Sequence, residues 1–125
     1  MILLDTSALI DSLAGPRRSA PALRRAIESG ERILVPTLVL YEWLRGPRLD
    51  EELAAQEALF PAAAAVPFGP LEAARAAAIS VPRARGREID LAIAACALSW
   101  KAELWTLNRE DFADIPELRV FDPAA

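Results

Sequence analysis

Three short apolar runs, each delivering the chain into a helix start or a polar turn, constrain this sequence more than any other feature. Ile2-Leu3-Leu4 runs into Asp5-Thr6-Ser7, Ile33-Leu34-Val35 into Pro36-Thr37, and Leu104-Trp105-Thr106 into Leu107-Asn108. Runs of three or four residues are strand-length, and the stretches between them carry helical patterning. Strands separated by helices pair in parallel, because a crossover returns each to the same end of the sheet. Ala64-Ala65-Val66 and Leu118-Arg119-Val120-Phe121 are two further candidate strands. The expected fold is therefore α/β, with a central, mostly parallel sheet of four to five short strands and helices on both faces.

Helices are expected from Thr6 or Ser7 to Leu13, from Pro21 to Ser29, and from Leu38 to Arg45 with Thr37 as cap. Three more run from Asp50 to about Phe60, from Leu71 to about Ile79, and from Glu88 to Trp100. Gly15-Pro16, Gly30, Gly46-Pro47 and Val81-Pro82 supply the stops. The stretch from Glu88 to Trp100 is apolar on nearly every face, which marks it as a buried central helix. In sheets of this kind ligands collect beyond the carboxyl ends of the strands, where strand order reverses. Asp5 and Asn108, far apart in sequence, would meet there.

At 125 residues the chain is expected to be one domain, residues 1–125. It contains no histidine, which removes Ser-His-Asp triads, histidine acid–base pairs and His/Cys zinc sites from consideration. The formal charge of −4 argues against nucleic-acid binding by bulk electrostatics. Lys101 is the only lysine, while arginines gather at 17, 18, 24 and 25, at 45 and 48, and at 83, 85 and 87. Most of these belong to solvated helix faces, although arginines beside an acidic site could hold phosphates. No apolar stretch reaches membrane-span length and no export signal opens the chain, so a cytoplasmic protein with no membrane contact is expected. The lone Cys96 lies in an apolar helical stretch and reads as a buried small hydrophobe.

The acids at the strand ends are the candidate chemistry. Asp5 could be an acid stabilised by a helix N-terminus. Thr6 and Ser7 are alternative caps, which would leave Asp5 free. Glu42 is the only charged residue from Ile33 to Leu44. It is either the exposed edge of its helix, paired with Arg45 one turn on, or a carboxylate turned toward a cation. Asp90 opens the apolar stretch 91–98, and Glu88 competes with it for any role. Asn108 is a cap or a site residue, and Asp111, one turn later, could share its direction. Together these give hard oxygen donors and no softer ligand, a set suited to Mg²⁺ or Mn²⁺. Such an ion activates water without histidine.

Four stretches of the chain resemble the PIN-domain ribonucleases, in particular the VapC-type toxins of toxin–antitoxin pairs. They are Leu3-Leu4-Asp5-Thr6-Ser7-Ala8-Leu9, Tyr41-Glu42-Trp43-Leu44-Arg45-Gly46, residues 88–95 (EIDLAIAA), and Trp105-Thr106-Leu107-Asn108-Arg109-Glu110-Asp111-Phe112. The resemblance spans almost the whole chain in family order. It implies a PIN-like fold and a Mg²⁺-dependent endoribonuclease, with Mn²⁺ as the possible substitute, leaving 5′-phosphate and 3′-hydroxyl ends. Its acidic quartet would fall on Asp5, Glu42, Asp90 and the position of Asn108. Asp5 and Asp90 would bind metal directly, and Glu42 directly or through water. Many relatives carry aspartate where this chain has Asn108, and Asp111 is the candidate to compensate. Thr6 and Thr106 are auxiliary candidates, and Arg45 and Arg87 are candidates for substrate phosphate. A cognate antitoxin, an RNA substrate and a homodimer are the implied partners.

Two other classes compete. A non-catalytic PIN-like module binding RNA or protein would fit a site weakened at Asn108. An aspartyl-phosphate phosphatase or a receiver domain fits less well, because Ser7 stands where the former usually has a second aspartate. Lys101 precedes its strand, whereas the latter needs a lysine at a strand end.

Overall fold

The computed structural model describes residues 1–124. Strand β1 (Ile2–Leu4) forms the middle of a three-stranded parallel sheet, flanked by β2 (Ile33–Leu34) and β3 (Glu103–Trp105), in the order β2-β1-β3. Ile2 and Leu3 pair with Ile33 and Leu34 on one side; Ile2, Leu3 and Leu4 pair with Glu103, Leu104 and Trp105 on the other. All three β1 side chains are buried. That explains the uninterrupted apolar run, since a strand covered on both faces has no solvent side on which to place polar residues.

Helices α1 (Thr6–Leu13) and α2 (Ala20–Glu28) connect β1 to β2. Helices α3 (Thr37–Arg45), α4 (Asp50–Leu59), α5 (Pro70–Ser80) and α6 (Glu88–Trp100) lie between β2 and β3. Of the helices in the second connection, α3 and α4 pack against α1, while α5 packs against α6 and α6 against β3. Residues Leu91 to Ala97 of α6 are all buried, and their four alanines allow close approach to α5 and β3, against which the helix packs. None of the helices among the described residues is long and apolar enough to cross a membrane.

The two weaker candidate strands are present only as single parallel bridges. Val66 joins Pro36, with Val66 N–H donating to Val35 O at 2.9 Å and Thr37 N–H to Val66 O at 2.8 Å. Val120 joins Leu104 in the same manner. The sheet therefore has three strands rather than four or five. The first pairing cannot lengthen because α3 begins at Thr37, directly after the bridge, and a 3₁₀ turn, Ala62–Ala64, ends just before Val66.

Candidate active site

The sheet itself sets the site. Asp5 N–H donates to the Trp105 carbonyl at 3.0 Å, one step past the last paired residues, so Asp5 and Thr106 leave the sheet side by side. This is where strand order reverses around β1, which pairs with β2 on one side and β3 on the other.

Asp5 is 4 % exposed and is itself the cap of α1. Its Oδ1 accepts from Ala8 N–H at 2.9 Å and from Ser7 Oγ at 2.7 Å. The expectation that Thr6 or Ser7 would cap, leaving Asp5 free, is thus corrected. The carboxylate divides its labour instead, with Oδ1 spent on the helix and Oδ2 outside the cap. Ser7 has a second duty, since its Oγ accepts from Leu107 N–H at 3.0 Å. It latches the segment after β3 to the start of α1. Sequence reasoning missed this role, and only a hydroxyl two residues past the acid hinted at it.

Glu42 does not pair with Arg45. Its Oε1 accepts a short hydrogen bond from the Thr6 hydroxyl, joining α3 to the first turn of α1. Arg45 instead lies over the Tyr41 ring, its guanidinium carbon 5.8 Å from the centroid. Glu88, the competitor of Asp90, turns away, both of its oxygens accepting from Gly86 N–H at 3.1 Å. Asp90 is half-buried in the first turn of α6.

Burial pushes the Asp90 carboxyl up from its ordinary value, and the charges of Asp5, Asp111 and Glu42, in that order, push it further; Arg87 opposes them. Asp90 thus feels three carboxylates from three other parts of the chain. Burial also raises Asp5, against hydrogen bonds from Ser7, Thr106 and the amides of Ala8 and Ser7. Such an environment disfavours ionised acids on their own and favours them beside a cation. The donor set is all oxygen, which fits a hard divalent ion. Among the described residues no three His, Cys, Asp or Glu side chains already stand close enough to hold a metal ion by themselves. An ion here would need oxygens from water or substrate phosphate as well, which is the usual habit of Mg²⁺.

Thr106 is buried, and its hydroxyl accepts from Asn108 N–H at 3.0 Å. Asn108 precedes a 3₁₀ turn, Arg109–Phe112, but its side chain makes no capping bond and is exposed. Asp111, at the third position of that turn, adds its charge to those of Asp5 and Glu42 in raising Asp90. Arg87, a candidate for substrate phosphate, is occupied by Asp114 through two hydrogen bonds, at 3.0 and 2.9 Å.

Comparisons with known proteins identify the family and the fold. Residues 2–118 match the PIN domain family. The chain is 35 % identical over 124 residues to Ribonuclease VapC19 of Mycobacterium tuberculosis, across 95 % of this chain and 98 % of that one. It superposes on a chain of the DNA-bound VapBC crystal structure from Salmonella typhimurium with a TM-score of 0.79 at 23 % identity, covering 98 % and 97 % of the two chains. A toxin–antitoxin complex from Klebsiella pneumoniae gives 0.68 at 26 % identity, over 98 % of each chain. With its parallel sheet, its acids gathered past β1 and β3 and this likeness over nearly its full length, the chain belongs to the PIN-domain family.

Proposed function

We propose that this protein is a divalent-metal-dependent endoribonuclease that hydrolyses RNA phosphodiester bonds and serves as the toxin of a type II toxin–antitoxin pair. The observation that carries the reading is Asp90 at the start of α6, half-buried and within reach of the charges of Asp5, Asp111 and Glu42, in a chain without histidine. The ribonuclease name of the relative from Mycobacterium tuberculosis supports the reaction class. The complex from Klebsiella pneumoniae supports a cognate antitoxin as partner.

In this reading Asp5, through Oδ2, and Asp90 hold Mg²⁺ or Mn²⁺. When bound, the ion polarises a phosphoryl oxygen and makes water nucleophilic near neutral pH. Glu42, aimed by the Thr6 hydroxyl, orients the attacking water and accepts its proton. Ser7 and Thr106 keep the two strand ends at fixed separation, so that the acids need no rearrangement when substrate arrives. Arg45, exposed beside Tyr41 on α3, is free to meet a substrate phosphate, whereas Arg87 is already engaged. Tyr41 and Leu44 on the same helix, 58 % and 52 % exposed, offer apolar surface to a second copy in the implied homodimer.

The test is cleavage of RNA by purified protein with Mg²⁺, with EDTA, and with Asp5→Asn. Activity that depends on the ion and vanishes in the variant is the expected result. Undiminished cleavage in EDTA would refute the metal. RNA binding without turnover at any Mn²⁺ concentration would favour the non-catalytic module, for which Asn108 at the fourth position is the supporting observation.

A further inference from the structure

Asp114 lies outside every motif noted in the sequence, yet it organises more contacts than any acid in the cleft. Its Oδ2 accepts from Arg83 Nε at 3.0 Å and from Arg87 Nη1 at 3.0 Å, while Oδ1 accepts from Arg87 Nη2 at 2.9 Å. Its backbone carbonyl takes a further bond from Arg83 Nη2 at 2.6 Å. Arg83 is also tied to the end of α5, donating through Nη1 to Ile79 O at 2.7 Å. Two planar guanidinium forks around one carboxylate make a rigid join, because each fork is bidentate or reaches two acceptors.

What this join connects gives it meaning. Arg87 occupies the N-cap position of α6, three residues before Asp90. The same Nη2 that meets Asp114 also donates to the backbone carbonyl of Asp111. The start of the helix carrying Asp90 and the turn carrying Asp111 are therefore held to one another by a single side chain, which Asp114 holds in turn. Asn108, by contrast, is held through its backbone, its N–H donating to the Thr106 hydroxyl at 3.0 Å and its carbonyl accepting from Asp111 N–H at 3.0 Å, and its side chain caps nothing.

We propose that Asp114 is a positioning residue: through Arg87 it ties the turn that carries Asp111 to the start of the helix that carries Asp90, so that Asp111 completes the acidic cleft in a chain that carries Asn108. The proposal rests on the reading of the cleft as a divalent-cation site. It makes Arg87 a structural tie rather than a phosphate-binding arm. It also gives Arg83 a task that the sequence, in which it stood among three basic residues of one loop, did not disclose.

The test uses the full chain as Asp114→Asn, Asp111→Asn and the double variant, with Mn²⁺ titrated calorimetrically and amide hydrogen exchange measured without metal. Asp114→Asn should speed exchange in residues 83–90 and 109–114 and leave the sheet unchanged. It should weaken Mn²⁺ binding by about tenfold, as loss of a supporting contact around a metal site does. In the Asp111→Asn background the same substitution should cost nothing more, because its effect passes through Asp111. Asp114→Glu, which keeps the charge, should recover part of the loss. Additive losses in the double variant, or unchanged exchange at 109–114, would overturn the proposal while leaving the nuclease reading intact. A wild-type protein that binds no Mn²⁺ overturns both, and unchanged affinity in Asp111→Asn overturns this one alone.

Discussion

Asp5 carries two duties on two oxygens, and substitution can separate them. In Asp5→Asn the amide oxygen still accepts from Ala8 N–H, so the α1 cap survives; aspartate and asparagine are comparable caps. In Asp5→Ala the buried bond to Ala8 at 2.9 Å and the bond from Ser7 Oγ at 2.7 Å are both lost. Loss of a cap costs about 0.5–2 kcal/mol, and a second hydrogen bond is worth about 1 kcal/mol net. Ser7 Oγ retains Leu107 N–H as a donor to it, which softens that second cost. The alanine variant should therefore be about 1–2 kcal/mol less stable than the asparagine variant. For a chain of this size that amounts to roughly 3–8 °C in melting temperature. Both variants should lose RNA cleavage, since each lacks the carboxylate charge. Melting in EDTA, followed by circular dichroism, reads the first duty, and the nuclease assay reads the second. Equal melting temperatures for the two variants would show that the cap contributes nothing. Full cleavage by Asp5→Asn would show that the charge at this position is unnecessary.

Three further outcomes follow from the same geometry. Because the native carboxyls of Asp5 and Asp90 are raised above their ordinary values, the native state holds their protons to higher pH than the unfolded chain does. Their ionisation then destabilises the metal-free fold as pH climbs through the raised values. In EDTA the melting-temperature advantage of Asp90→Asn over wild type should grow from pH 4 to pH 7 and shrink when Mn²⁺ is added; a flat difference would contradict this. Burial, with a smaller contribution from Glu72, pushes the Cys96 thiol up to about 11, so a thiol reagent at pH 8 should label only unfolded protein, and rapid labelling of native protein would place Cys96 at the surface. Ala94 is fully buried in α6, and Ala94→Leu should destabilise by about 1–3 kcal/mol through overpacking, measurable by urea denaturation.

The extent to which the sequence disclosed this structure follows the range of the forces involved. Helix α6 begins and ends where its apolar run does, from Glu88 to Trp100, because burial on every face leaves a mark on every residue. Helices α3 and α4 start and stop within a residue of their turn signals, since breakers are local, although Thr37 is the first residue of α3 and not its cap, a position Pro36 takes without a side-chain bond. The segments at 64–66 and 118–121 have the composition of strands, yet each makes one bridge. Ladder length depends on what the neighbouring chain can donate, and no local pattern records that Pro36 is the partner. The acids at the junctions after β1 and on α3 and α6 were visible because each interrupts an apolar context.

Their connections were not visible, and these decide how the cleft works. The Thr6–Glu42 bond spans 36 residues and the Ser7–Leu107 bond spans 100. Each joins a common residue type to another, so neither leaves a sequence signature. Local reasoning offered Arg45 as one partner for Glu42 because helical spacing makes them neighbours, but an exposed ion pair of that kind gains little, and Arg45 rests on Tyr41 instead. A part-buried bond to Thr6 satisfies one carboxylate oxygen in a place where water is scarce, and the fold chose that arrangement. The same preference explains the cleft as a whole. Burial makes ionised Asp5 and Asp90 costly, and neighbouring carboxylates add to the cost at Asp90, so the fold must hold them by contacts made elsewhere: the sheet bond at Asp5, the Ser7 latch, the apolar packing of α6 and the paired arginines on Asp114. A site assembled against its own repulsion carries that cost until a cation relieves it, and added Mn²⁺ should therefore raise the melting temperature of the wild type more than that of Asp5→Asn or Asp90→Asn. An equal rise in all three would mean that the ion binds somewhere other than this cleft.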